Sequence, residues 1–419
     1  MKGLKMGRSL KHFFASASGC LLMPKKSLLL VALLVSVSFR LFYYASATQT
    51  HSLDKYFLPV TPGQDFFQIP NAAYSFLRGG NLQGDIGKIK NAYINCCGVN
   101  KNVYHPFFTL LAGIPLQLFQ PWNAFNLWMF AHLASDILIT VFLLIRFKNS
   151  KYLPLALIVL LTSNFGYYEI VNNQYHFLLN TATFFLLYEI DKKKDSVLGG
   201  IYYLLGLLVK PIGVFWALPL LRNKYFKTVT LGLAFFAGLS LIFLLVPESK
   251  YYFNNLFYVI FQSHYPDWNI FLVLGKLNIS PGSIALIKFS LAVLLAWFSI
   301  KENKPAISIF LWIIYALMMY QNTFPYHFSI IPVLTSLALL SDWLKFNWLT
   351  KIALFFIIIP APITISSLVA SDQINFLSVQ KYIFVFWSNL GLLFLAFSIV
   401  FNLKNPSFCN KNRLWQRKD

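Results

Sequence analysis

Acidic residues are scarce in this chain. It has 14 Asp and Glu against 35 Lys and Arg, and charged residues fill only 12% of its 419 positions. That is about half the charged share of a soluble globular protein, so a water-soluble fold is excluded as the first expectation. Cysteine is nearly as rare. Cys20 and Cys409 flank the apolar part of the chain, and Cys96 and Cys97 are neighbours whose mutual disulfide needs a strained ring. No disulfide framework and no metal-ligand spacing emerges from these four. A Gly-rich phosphate loop, a zinc signature and a nucleophile elbow are also missing. Their lack argues against a nucleotide-driven pump with its own ATPase domain, and against a soluble-type transferase fed by a nucleotide sugar.

What the chain has instead is apolar surface. Hydrophobic residues make up 57%, with 43 Phe, and long apolar runs recur between residues 27 and 401. Length is therefore to be counted in membrane spans. The net charge of +21 does not mark a nucleic-acid partner, because the cations fall mostly in short clusters between apolar runs. Cytoplasmic loops of membrane proteins retain positive charge in that way.

Lys2, Lys5, Arg8, Lys11, Lys25 and Lys26 precede the first run, which puts the N-terminus in the cytoplasm. Met23-Pro24-Lys25-Lys26 before an apolar run has the form of a natural start, which would make residues 1–22 a basic extension. Alternating the later runs so that inward ends meet cations gives an all-α polytopic bundle of about twelve spans. Some of these are short or broken. The expected organisation is a basic cytoplasmic segment at 1–26, a transmembrane domain at 27–403 and a basic cytoplasmic tail at 404–419. The inner membrane is the expected location, with the lipid bilayer as a constant partner. Residues 48–121 form the first extracytoplasmic loop with an interfacial or re-entrant helix, and residues 247–282 a second outer loop. Short helices joined by polar residues are tolerated where they line a protected wet cavity, so a polar chamber is expected on the outer side.

Several residues there carry chemistry. Asp65, in Gly63-Gln64-Asp65-Phe66-Phe67, sits before an amphipathic stretch and is placed to take a proton from a hydroxyl nucleophile. The alternative is an N-cap-like or solvated carboxylate. Lys210, in Leu207-Leu208-Val209-Lys210-Pro211, is a cation amid apolar residues, facing a polar cavity and an anion or else snorkelling to the interface. His327 ends a polar outer corner and is suited to a phosphate oxygen or a loop carbonyl. Arg78 follows the amphipathic stretch as a supporting donor. Asn173 and Gln174, in Asn172-Asn173-Gln174-Tyr175-His176, suit sugar hydroxyls or ordinary turn chemistry. His264 and Asp267 stand in an aromatic and polar segment of the second outer loop whose composition suits carbohydrate. His132 and Asp136 share a helix face and are expected to join helices. A transporter or flippase would use the same polar chamber from both faces, and remains the alternative class.

In order along the chain, three segments resemble glycosyltransferase family 87. They are Asp65-Phe66 with Tyr74, Leu77 and Gly79-Gly80; Tyr104-His105-Pro106-Phe107 followed by Pro115; and Asn173-Gln174-Tyr175 through Gly200 to Lys210-Pro211. Pro325-Tyr326-His327 with Pro332 echoes a fourth. Phe107 and Tyr175 depart from the family pattern of Pro and Asn. The resemblance implies a C-type membrane enzyme with a polyprenyl-phosphate sugar as donor and a glycolipid or glycan as acceptor. It makes Asp65 the catalytic base, and Tyr104 and His105 substrate-binding. Lys210, His327 and Arg78 would receive the donor phosphate. No cofactor is implied, although one carboxylate with a substrate phosphate is able to hold a divalent ion.

Overall fold

The computed structural model describes residues 25–47, 65–82, 102–250, 252–254, 270, 277–319, 323–341, 343–361 and 373–404. Among these every regular element is helical. The helices are α1 (Lys25–Ala45), α2 (Gln68–Leu77), α3 (Pro106–Leu116), α4 (Pro121–Arg146), α5 (Leu153–Thr162), α6 (Asn164–Asn172), α7 (His176–Asp191) and α8 (Val197–Val209). They continue with α9 (Ala217–Arg222), α10 (Phe226–Leu244), α11 (Pro281–Lys301), α12 (Pro305–Met319), α13 (Ile330–Leu340), α14 (Trp348–Ile358) and α15 (Gln373–Lys404). Tight 3-10 turns at Pro211–Trp216 and Pro325–Ser329 lead into α9 and α13.

Five of the helices, within α1, α4, α10, α11 and α15, are long and apolar enough to cross a membrane. A sixth span arises if α5 and α6, bent by 41° at their break, are taken together. Six shorter apolar helical segments accompany them. The chain is therefore an all-α, multi-pass membrane protein. Large apolar side chains such as Phe130, Leu241 and Phe289 are more than half exposed, on faces that only lipid can cover.

Proline and glycine decide where the helices stop and how closely they approach. Pro106, Pro121, Pro281 and Pro305 open their helices, where the missing N–H costs nothing. Gly113 lets α3 lie on α2: a Cβ there would come 2.6 Å from that of Ala73. α8 packs between α7 and α10, α1 lies along α5, α13 lies along α5 on another side, and α14 pairs with α15. On the loop between α7 and α8, Asp195 accepts from the Lys227 and Thr228 amides at 3.0 and 2.9 Å, closing the first turn of α10. Partial burial pushes its carboxyl up, but those amides hold it below the usual range.

Inside the bundle the Arg40 guanidinium of α1 meets Asp136 of α4 through two bonds of 2.6 and 3.0 Å, and the Tyr44 hydroxyl donates to the same carboxylate at 2.9 Å. A bidentate ion pair is a form in which charge survives within a bilayer, although Arg40 Nη1 is left buried without a partner. Asp136 thus does join helices, as expected of it.

Candidate active site

Asp65 opens the turn that leads into α2. The next two residues, Phe66 and Phe67, are fully buried, and they anchor the turn against the bundle. The Phe66 ring lies parallel to Tyr175 at 6.1 Å, and the Tyr175 hydroxyl donates to the Phe66 carbonyl at 3.1 Å. With its neighbours pinned in this way, Asp65 is only 6% exposed, and its Oδ1 accepts from Gln68 Nε2 at 2.7 Å.

The break between α6 and α7 supplies the facing groups. Asn173 takes a left-handed conformation (φ 48°), which Asn tolerates better than most residues, and so turns the chain sharply after α6. Its Nδ2 donates to the Phe125 carbonyl at 2.7 Å and ties the corner to α4. Gln174 Oε1 accepts from the Tyr104 hydroxyl at 2.6 Å, which links the corner to the segment before α3. His176 begins α7, is 3% exposed, and neither ring nitrogen has a hydrogen-bond partner.

Lys210 sits where α8 must end. Pro211 has no N–H to continue the helix, and Lys210 itself is extended (φ −146°, ψ 112°). Its ammonium lies 5.7 Å from the centre of the Tyr104 ring. It is close enough to Asp65 for their charges to act on each other, and it acts likewise on His176 and His327. Asp65 also acts on Tyr104.

His327 lies in the turn before α13, and its ring centre is 4.6 Å from that of His176. Its Nδ1 accepts from the Phe324 amide at 2.9 Å, an arrangement that puts the ring proton on Nε2. That Nε2 is buried without a partner.

The fold thus brings Asp65, Tyr104, Gln174, Lys210 and His327 to one place. It adds His176, which sequence reasoning had only as the end of a polar corner. Both ring nitrogens of His176 and Nε2 of His327 are buried without protein partners, a costly state that a bound anion or hydroxyl would relieve.

Two further expected residues make contacts of their own. Arg78 is exposed at the end of α2, its guanidinium 3.6 Å over the Tyr74 ring. His105 caps α3 by accepting from the Phe107 amide at 3.2 Å, and its Nε2 lies 3.1 Å from Ser240 Oγ on α10. Phe236, Phe243, Tyr252 and Phe253 surround its ring, and this burial lowers its pKa to about 4. A neutral imidazole so enclosed fastens α3 to α10. His264 and Asp267 lie outside the described residues.

No curated protein matches the chain. The sequence model of glycosyltransferase family 87 matches residues 102–323, more than half of its length. Tyr104, Asn173, Gln174, His176 and Lys210 fall inside that stretch, which also holds three of the five described helices long and apolar enough to cross a membrane. The chain belongs to glycosyltransferase family 87 and is a membrane glycosyltransferase of that general class.

Proposed function

We propose that the protein moves a mannose-like hexose from a polyprenyl-phosphate donor to a hydroxyl of a glycolipid or glycan acceptor, with inversion at the sugar. The Asp65 carboxylate removes the proton of the acceptor hydroxyl as that oxygen attacks the anomeric carbon. The bond from that carbon to the phosphate oxygen breaks, and polyprenyl phosphate leaves with the electron pair. Negative charge grows on the phosphate as the bond breaks, so donors fixed there act most strongly in the transition state. Lys210 and the His327 Nε2–H serve in that role, joined by His176. Gln174 and Tyr104 hold the sugar between the two ends of the reaction.

In this reading the span count is about twelve, with the short segments α3, α8, α9, α12, α13 and α14 lining or flanking the outer chamber. Both termini face the cytoplasm, and transfer takes place on the far side of the inner membrane.

The observation that carries the reading is the meeting of one buried carboxylate with one ammonium and two imidazoles that keep three partnerless nitrogens, drawn from four separated stretches of chain. The test is direct. Purified protein is given radiolabelled polyprenyl-phosphate hexoses with lipid and glycan acceptors, and transfer is followed by chromatography. Asp65→Asn is expected to lose about a hundred- to ten-thousandfold in rate while accumulating normally in the membrane. Wild-type turnover by that variant would remove Asp65 from the mechanism, and no transfer from any polyprenyl-phosphate hexose would end the proposal.

A further inference from the structure

A second polar cluster lies in the interior of the bundle, and sugar transfer as written above does not use it. Glu169, on α6, is 1% exposed. Its Oε2 accepts from Asn180 Nδ2 at 3.0 Å, and the same amide nitrogen donates to Ser329 Oγ at 2.9 Å. Ser329 and Glu169 are thus joined through the one Asn180 amide. One trio of polar residues therefore links α6, α7 and the turn Pro325–Ser329.

The positions of the three residues matter. Asn180 stands four residues after His176, one turn further along the same face of α7. Ser329 stands two residues after His327 in the same tight turn. The trio thus clasps the two elements whose approach sets His176 and His327 at 4.6 Å. Apolar packing alone would hold the helices together but leave them free to slide. Hydrogen bonds in a water-poor interior are directional and costly to break, so they fix register as well as distance.

Burying a carboxylate for this purpose needs explanation, since one ionised group in a bilayer is expensive. Glu169 is not the counter-ion of the nearby arginine, because Arg40 is held by Asp136 through both of its carboxylate oxygens. Arg40 and Asp136 still act on Glu169 through their charges, and His132 Nε2 lies 4.0 Å from its Oε2. What the Glu169 side chain offers its surroundings is an acceptor for the α7 amide that also holds the turn.

We infer that Glu169, Asn180 and Ser329 are positioning residues that set the spacing of the His176–His327 pair and so the affinity for the donor's phosphate. The inference rests on the reading above that this pair receives the phosphate. It assigns a task to residues that touch neither sugar nor carrier.

The test measures binding apart from transfer. Full-length protein in lipid nanodiscs is titrated with a short-chain polyprenyl phosphate that carries no sugar. Asn180→Ala is expected to weaken binding about tenfold, and Ser329→Ala by a smaller factor in the same direction. Glu169→Gln keeps an acceptor oxygen in place and is expected to stay within about threefold of the wild type, whereas Glu169→Ala is not. In a His176→Ala, His327→Ala background, Asn180→Ala should add nothing, because the groups it positions are gone.

An unchanged affinity in both Asn180→Ala and Ser329→Ala overturns the clasp. So does an equal loss with and without the histidines, which would mark a merely structural role. Should Asn180→Ala not assemble, Ser329→Ala carries the same comparison. Clasp-dependent binding without any sugar transfer would sink the transfer reading and leave the clasp standing. A wild-type protein that binds no polyprenyl phosphate overturns both.

Discussion

Lys210 shows how much one residue owes to its neighbours in sequence and how much to the fold. A cation at the end of an apolar run, followed by Pro211, was bound to leave the helix there. That it stands over Tyr104 and within electrostatic reach of Asp65 follows from packing between parts of the chain far apart in sequence. If it carries the growing charge of the leaving phosphate, Lys210→Ala should lower the rate of transfer about a hundredfold, the usual effect of losing one such donor. Single-turnover transfer at saturating donor checks this, and an unchanged rate would move the phosphate elsewhere. Lys210 stood out in the sequence because charge beside apolar residues is conspicuous, and Asp65 because its segment resembles the family's first-loop pattern. His176 did not, because a histidine at a helix start has many bland uses and only its empty ring nitrogens set it apart. Arg78 and His105 show the converse. Their residue types suited the chemistry, but the fold sets one against Tyr74 and encloses the other in aromatic rings.

Elements depend on contacts that a single position can spoil. Gly166 on α6 lies against the Arg40 guanidinium, so that a Cβ there would overlap it. Gly166→Ala should therefore push Arg40 off Asp136 or force α1 away from α6. A loss of about 1–3 kcal/mol is typical of overpacking, read as a lower melting temperature in detergent. At the other end of the fold, Asp195→Ala removes the acceptor for two amides at the start of α10. About 0.5–2 kcal/mol is the usual cost of losing such a cap, and transfer by the folded fraction should be unaffected. The helices themselves were largely readable: the expected run at 197–209 coincides with α8, and proline starts mark several others. The stretch after α5 was not. The apolar run there was expected to end at Phe165, yet residues 164–172 form α6, bent from α5 at Ser163, because Tyr167, Tyr168 and Ile170 are buried against neighbouring helices. Local hydropathy cannot register burial supplied from elsewhere in the chain.

For the molecule as a whole, side-specific charge is the feature that organises everything else. If Lys192, Lys193 and Lys194 face the cytoplasm as proposed, a cysteine placed at Lys193 in a cysteine-free background should resist a membrane-impermeant thiol reagent in intact cells, while one at Ser280 should react. The reverse pattern would invert the proposed orientation and put Asp65 on the cytoplasmic side. What the sequence by itself determined is this membrane character, the helical class, many helix starts and stops, and the family. Each of these follows from composition, from local backbone constraints, or from short ordered motifs. The tertiary structure alone decided which polar residues meet. A carboxylate before α2, an ammonium after α8 and imidazoles from α7 and the turn before α13 are separated by long apolar stretches. Their assembly depends on how helices pack in three dimensions, and no periodicity along one helix encodes the face that another will present.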